Sequence, residues 1–247
     1  MNAQAILEGA ISIQAAIEAK SRPIECLILQ QYKQNRQIGY LKRLATAENI
    51  PIEERSADAI DVLTNGQSHG GVVALVGPRT FHPIEELATG VASPFLVMLD
   101  GIEDPFNFGY AVRAIYAAGA HGLILRTRNW FSATSTVARA SAGTSERIPT
   151  AIVETAEDGA AVLRHHGIQV ACTAFQGATE LYEANLTVPL FLVIGGEKRG
   201  ITRSFVDSAD ILLRIPYGRD FSLSMGTAAA TAVLTFEVMR QRMGEHE

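Results

Sequence analysis

From residue 95 onward the chain carries a series of short apolar runs: Phe95 to Leu99, Gly122 to Leu125, Ala151 to Val153, Gln169 to Thr173, Leu190 to Ile194 and Ile211 to Ile215. Helical patterns separate them. A strand with one wet face alternates apolar and polar residues, whereas a run that is apolar throughout is buried on both faces, the environment of a parallel sheet covered by helices. The pattern predicts an α/β domain with helices on both sides of a mainly parallel sheet, closed by a helix from about Met225 to Arg240.

A smaller α/β unit precedes it. Ile11 to Ala19 has helical periodicity, Glu25 to Leu29 is a short strand-like run, Ile38 to Ala47 reads as a helix, and Ser56 to Leu63 as another with Ser56 as N-cap. Gly71 to Val76 closes the set as a strand. Gly77, Pro78 and Pro83, followed by a polar stretch to Gly90, suit a linker. The expected division is 1–76 for the front domain, 77–92 for the linker and 93–247 for the second domain.

Charge and composition exclude several classes. With a formal charge of -5 the chain lacks the overall basic surface of a generic polyanion binder, so any nucleic-acid site is a local patch. No stretch approaches the roughly 18 uninterrupted apolar residues of a spanning helix, and no membrane association is expected. Met1 to Glu8 has no basic leader region, which points to a cytoplasmic protein. Cys26 and Cys172 sit in apolar contexts without a CxxC pair and read as reduced, buried thiols. His165 and His166 are adjacent and do not share a helix face, so no metal site is expected. Glu154, Glu157 and Asp158 read as a solvated helix start.

Ligands of parallel sheets bind beyond the carboxyl ends of the strands, which directs attention to the loops there. After the first run comes Asp100-Gly101-Ile102-Glu103-Asp104-Pro105-Phe106-Asn107-Phe108-Gly109-Tyr110-Ala111-Val112-Arg113. Asp104-Pro105 fits a cap followed by a first-turn proline, and Asn107 and Arg113 read either as capping and surface residues or as chemistry. After Leu190 to Ile194 comes Gly195-Gly196-Glu197-Lys198-Arg199-Gly200, where paired glycines permit close backbone approach to a ligand or simply a tight turn. Neither common glycine-rich nucleotide loop is present, which argues against a nucleotide-dependent oxidoreductase. After Ile211 to Ile215 comes Pro216 to Gly226, containing Ser222-Leu223-Ser224, ahead of an alanine-rich helix start that Ser224 would cap or that a ligand would approach.

Together and in this order, the three loops resemble the three motifs of the SpoU (TrmH-like) branch of the SPOUT superfamily. The residues that carry the resemblance are Asp104-Pro105, Asn107, Gly109 and Arg113, then Gly195-Gly196-Glu197 with Gly200, then Ile215-Pro216 and Ser222-Leu223. It extends through Ser141-Ala142-Gly143, Glu146, Pro149 and Thr173-Ala174 to Leu7-Glu8-Gly9 and His69 to Leu75, so that nearly the whole chain is covered. The resemblance implies an RNA-binding front domain, a catalytic domain with a deep trefoil knot, a homodimer whose active site lies close to the subunit interface, and methyl transfer from S-adenosylmethionine to a ribose 2'-hydroxyl of ribosomal or transfer RNA.

By the same resemblance, the cofactor would be held near Thr173, Ala174, Gly195, Gly200, Ile215 and Leu223. Asn107, Arg113, Glu197, Ser222 and Ser224 would form the catalytic set. An arginine stays protonated, so Arg113 is expected to hold the adjacent phosphate and stabilise a developing alkoxide rather than take a proton. Asn107 would orient the guanidinium or the nucleotide, Glu197 would position the arginine, and Ser222 would fix the ribose. Lys33, Arg36, Lys42 and Arg43, with Arg126, Arg128, Lys198 and Arg199, are candidates for the RNA patch. The chain departs from the family at Ser224, where an asparagine is usual, and at Gly226, where a serine is usual. That departure keeps a noncatalytic RNA-binding relative open beside the enzyme.

Overall fold

The structure, a computed structural model, describes residues 5–64, 69–126, 133–196 and 201–244. The described residues fall into two compact units, one drawn from 1–80 and 129–147, the other from 81–128 and 148–247.

The first unit opens with β1 (Ala5–Glu8), α1 (Ala10–Ala19), β2 (Ile24–Gln30), α2 (Arg36–Ala47), β3 (Ile52–Arg55), α3 (Ala57–Asp61) and β4 (Val72–Val76). The strands form one sheet in the order β1-β4-β2-β3, with β4 antiparallel to both neighbours and β3 parallel to β2. The period of a strand distributes β2 over two cores: Leu27 and Leu29 pack with Leu7, Ile13 and Leu41, while Cys26 and Ile28 pack with Ile60 and Val73. Local chemistry starts the helices: Ser56 caps α3 as expected, and Asn35 caps α2, which begins two residues ahead of the start expected at Ile38. Asn35 accepts from the Ile38 amide at 2.9 Å, and Ser56 from the Ala59 amide at 3.3 Å.

The second unit begins with a short 3-10 turn, Ile84–Ala88, then β5 (Phe95–Asp100), α4 (Pro105–Ala117) and β6 (Gly122–Arg126). Ile84 and Leu87, in the stretch read from sequence as a linker, are buried in this unit's core. The chain then supplies α5 (Thr134–Ala140) and α6 (Thr144–Arg147), which group with the first unit although they lie inside the stretch assigned by sequence to the second domain. Their attachment is physical. A side chain on Gly143 would sit 2.8 Å from the Ala15 Cβ of α1. Glu146 is buried against Arg22 at 3.0 Å and accepts from the Ser21 hydroxyl at 2.6 Å.

The second unit resumes with β7 (Thr150–Val153), α7 (Ala156–His165), β8 (Gln169–Thr173), β9 (Thr179–Glu180), β10 (Leu190–Gly195), α8 (Arg203–Ser208), β11 (Ile211–Arg214) and α9 (Thr227–Met243). Its seven-stranded sheet has the order β7-β6-β5-β10-β8-β11-β9, and every pairing is parallel. The continuous apolar runs are thus explained: Leu190, Phe191, Leu192 and Val193 are all fully buried, each such side chain contributing about 1.5–3 kcal/mol. The last turn of α9 is fastened by Arg242, which donates to the carbonyls of Ser93, Leu186 and Val188.

Candidate active site

From β5 the chain moves outward to β6 and β7, then crosses to β8 on the far side of β10. The order therefore reverses between β5 and β10. Open parallel sheets bind ligands at such a reversal, outside the carboxyl ends of the strands. Gly195 ends β10 opposite Asp100 of β5, and Thr173 ends β8 opposite Leu213 of β11. The Ala174 amide donates to the Leu213 carbonyl at 2.9 Å, and Ile215 follows β11 directly. Thr173, Ala174, Gly195 and Ile215 are thereby gathered along one edge of the sheet.

Gly196 has a more specific role than the sequence suggested. Its amide donates to the Asp100 carbonyl at 2.6 Å, and a Cβ built on it would stand 2.2 Å from the Gly101 carbonyl oxygen. The close approach expected toward a ligand is an approach to another backbone, which locks the end of β10 onto the start of the loop after β5. Gly101 itself has φ 84, a left-handed conformation suited to glycine.

The loop after β5 enters α4 as its sequence dictates. Asp104 accepts from the Asn107 amide at 2.7 Å, with Pro105 in the first turn. Phe108, Ala111, Val112 and Ile115 bury one face of the helix. Phe106, Tyr110 and Arg113, spaced by four and three residues, share the exposed face. Asn107 is half-buried in the first turn. Arg113 has no ion-pair or hydrogen-bond partner among the described residues, so its guanidinium is available to a ligand.

Ser222, Leu223 and Ser224 are exposed in the loop between β11 and α9. Ser224 does not cap α9. The N-cap is Gly226, with φ 83 and ψ 140 and no side-chain cap. This corrects the capping reading of Ser224 and also explains Gly226, since that backbone region is nearly exclusive to glycine. Glu197 and Gly200, together with Lys198, Arg199 and Arg128, lie outside the described residues.

Two features of the site were not singled out from sequence. Asp100 is buried at the strand reversal and receives Arg126 at 3.2 Å, while the Arg126 Nε also donates to the Glu154 carbonyl. The signal was present as a carboxylate ending an otherwise apolar run. The rings of Tyr217 and Phe221 meet edge to face at 5.6 Å in the loop after β11, a contact that spacing alone does not reveal. Burial pushes the Cys172 thiol of β8 up to about 11, so it is an inert neighbour of the site rather than a nucleophile. Among the described residues, no group of three or more His, Cys, Asp or Glu is arranged to hold a metal, and no helix is long and apolar enough to cross a membrane.

A parallel sheet whose strand order reverses beside an edge of backbone and glycine defines an α/β ligand-binding domain, and among the described residues Arg113 on the adjoining helix is exposed and without an ion pair or hydrogen bond. Residues 94–236 match the SpoU rRNA Methylase family, and residues 6–82 match the RNA 2'-O ribose methyltransferase substrate-binding domain; the chain belongs to the SpoU methylase family. It is 31% identical to a 23S rRNA (guanosine-2'-O-)-methyltransferase, RlmB, of Shewanella oneidensis, over 98% of this chain and 99% of that one. The RlmB of Pseudomonas aeruginosa is likewise 31% identical, over 95% of each chain. Among solved structures, the SpoU methyltransferase AviRb of Streptomyces viridochromogenes in complex with AdoMet superposes with a TM-score of 0.80 at 23% identity, covering 98% of this chain and 91% of that one.

Proposed function

We propose that this protein transfers a methyl group from S-adenosylmethionine to a ribose 2'-hydroxyl of RNA, with ribosomal RNA as substrate. The observation that carries the reading is Arg113, exposed and without an ion pair or hydrogen bond among the described residues, on the helix that adjoins the reversal edge of a SpoU-family sheet.

The chain fits the cofactor. Thr173, Ala174, Gly195 and Ile215 line one edge with backbone, Leu223 adds an exposed apolar side chain, and the Gly196 to Gly101 contact holds the ends of β10 and β5 together. A sulfonium needs a shaped site more than a counter-ion, and these groups, with Gly200, would hold it. S-adenosylmethionine supplies an electrophilic methyl carbon when bound. The protein's remaining task is to make a ribose hydroxyl nucleophilic. Arg113 holds the neighbouring phosphate through its planar fork and stabilises the negative charge that develops on the 2'-oxygen as the hydroxyl proton passes to solvent water. Asn107 orients the nucleotide, Glu197 positions the guanidinium, and Ser222 and Ser224 engage the target ribose.

In this reading the front domain, 1–76, binds RNA and is joined by 77–92 to the catalytic domain, 93–247, whose carboxyl-terminal part forms the family's trefoil knot. The exposed Lys33, Arg36 and Arg43 are free of ion pairs among the described residues and supply phosphate contacts, whereas Lys42 is engaged by Glu54 at 2.7 Å. The enzyme works in the cytoplasm as a homodimer. Support for the dimer is the aromatic face of α4, with Phe106 52% and Tyr110 51% exposed beside Arg113. A monomer mass by light scattering at micromolar concentration would overturn that part.

The test of the function is transfer of labelled methyl from S-adenosylmethionine to unmodified transcribed 23S rRNA, followed by nuclease digestion. Label on a ribose, lost in Arg113→Ala, is the expected result. Ser224 favours one other reading, a noncatalytic RNA-binding relative, which cofactor and RNA binding without any label would establish.

A further inference from the structure

The first unit contains a cavity of about 310 Å³ that the methyl-transfer reading does not use. This is near the small end of sites for organic ligands, about 300–1,000 Å³. Its lining includes Glu8, Ile11, Ser12, Ile38, Val72 and Arg139, all within that unit.

The polar groups at the cavity are arranged with capacity to spare. Glu8 is 6% exposed and accepts from Arg139 through Oε2 alone, at 3.1 Å. Its Oε1 has no partner among the described residues. Ser12 is 3% exposed, and its hydroxyl likewise has no partner among the described residues. Both residues line the cavity, so a ligand there can take up these two groups. Gly9, the N-cap of α1, provides no side chain, so the first-turn amides at Ala10, Ile11 and Ser12 add donors at the same wall.

The other walls are apolar or fixed in place. Ile38 and Val72 are each 2% exposed, and Ile11, 55% exposed, stands at the rim. The His69 ring is not a spare donor. Its Nδ1 accepts from the Gly71 amide at 3.0 Å and its Nε2 meets Asp61 at 2.6 Å, so it braces the wall.

We propose that this cavity, resting on the RNA-binding reading above, takes one nucleobase turned out of RNA secondary structure. Glu8 Oε1 accepts an N–H of the base edge, Ser12 and the α1 amides donate to the acceptor beside it, and the ring lies between Ile11, Ile38 and Val72. Every base carries a donor beside an acceptor on its pairing edge, and that edge is exposed only when the base is unpaired. The pocket therefore reads local RNA structure rather than sequence.

The test is binding of transcribed 23S rRNA at fixed ionic strength, with dimethyl sulfate, kethoxal and carbodiimide probing of unpaired base edges. Two variants are compared: Glu8→Gln, which keeps one acceptor oxygen for Arg139 and puts an amide NH2 in place of Oε1, a donor where the base needs an acceptor, and Ala10→Leu, which fills the cavity and leaves the Glu8 to Arg139 pair intact. Melting curves and S-adenosylmethionine affinity report folding. The expected result is one protected base with the wild type. Both variants lose that protection and bind at least about fivefold more weakly, the scale of one lost base contact. If Ala10→Leu, folded, binds with unchanged affinity and protection, the pocket assignment is overturned and the RNA reading stands. If the wild type binds no RNA, the RNA reading itself falls, and the pocket assignment with it.

Discussion

Gly196 and Gly101 touch backbone to backbone: a Cβ on Gly196 would lie 2.2 Å from the Gly101 carbonyl oxygen and 2.4 Å from its carbon. No rotamer change relieves such a clash, because both partners are main chain at the ends of paired strands. Gly196→Ala is expected to force the two loops apart, costing about 1–3 kcal/mol of stability and removing measurable S-adenosylmethionine binding. Chemical denaturation and calorimetric titration check the two effects, and native affinity in the variant would show that this contact does not shape the cofactor site.

Arg113 separates chemistry from stability. It is exposed and makes no hydrogen bond or ion pair among the described residues, so Arg113→Ala is expected to change stability by no more than about 0.5 kcal/mol. Turnover should fall by about 10²–10³, the scale of losing one group that stabilises developing charge. Arg113→Lys, which retains charge without the planar fork, should fall between the two. Single-turnover methyl transfer with saturating cofactor measures this, and an unchanged rate in the alanine variant would remove Arg113 from the reaction.

How much was legible in the sequence follows from the range of each interaction. The parallel sheet was visible because burial on both faces writes itself into consecutive residues such as Leu190 to Val193, and the entry to α4 because Asp104, Pro105 and Asn107 act within one turn. β3 was missed because Ile52-Glu53-Glu54-Arg55 is an exposed edge with little apolar pattern, and β9 because two residues carry no period. The grouping of α5 and α6 with the first unit depends on Glu146 meeting Arg22, more than a hundred residues away in sequence. The closeness of Gly196 to Gly101 depends on strand order, which local composition does not encode. The capping residue of α9 was misplaced because serine is the commoner cap, whereas here the backbone conformation selects glycine.

Glu146 anchors a buried polar cluster in the first unit, with Arg22 bonding both of its oxygens and Ser21 donating to one of them, and Arg79 3.7 Å away. Glu146→Ala would leave buried guanidinium groups without a carboxylate and is expected to cost about 3–5 kcal/mol. Glu54→Ala, which breaks the half-exposed pair with Lys42, should cost about 0–1 kcal/mol. Urea denaturation of the two variants gives the comparison, and equal losses would mean that the buried cluster is not a determinant of this unit's stability.

Both cysteines are buried, and burial raises each thiol above its usual value of 9, Cys172 to about 11. A thiol whose folded value exceeds its unfolded value keeps its proton longer in the native state. Its contribution to stability is complete below about pH 9 and is lost as pH rises toward 11. Native protein at pH 8 should therefore leave both thiols unreacted toward Ellman's reagent over minutes, and denatured protein should react at once. Rapid reaction of the native Cys172→Ser variant would show that Cys26 is not shielded as its burial requires.

Ser224 and Gly226, the two departures from the family's third motif, are expected to behave in opposite ways when reverted. Ser224 is exposed and caps nothing, so Ser224→Asn should change stability by no more than about 0.5 kcal/mol while adding an amide that both donates and accepts. Methyl-transfer activity should be retained or raised. Gly226 holds φ 83 at the start of α9, so Gly226→Ser should cost about 1–3 kcal/mol in backbone strain and reduce activity through misplacement of Ser222 and Leu223. Melting curves and initial rates of the two variants decide the matter. A stable, fully active Gly226→Ser would mean that the loop adopts another backbone in the working enzyme, and loss of activity in Ser224→Asn would mean that serine is a functional choice for this chain's substrate.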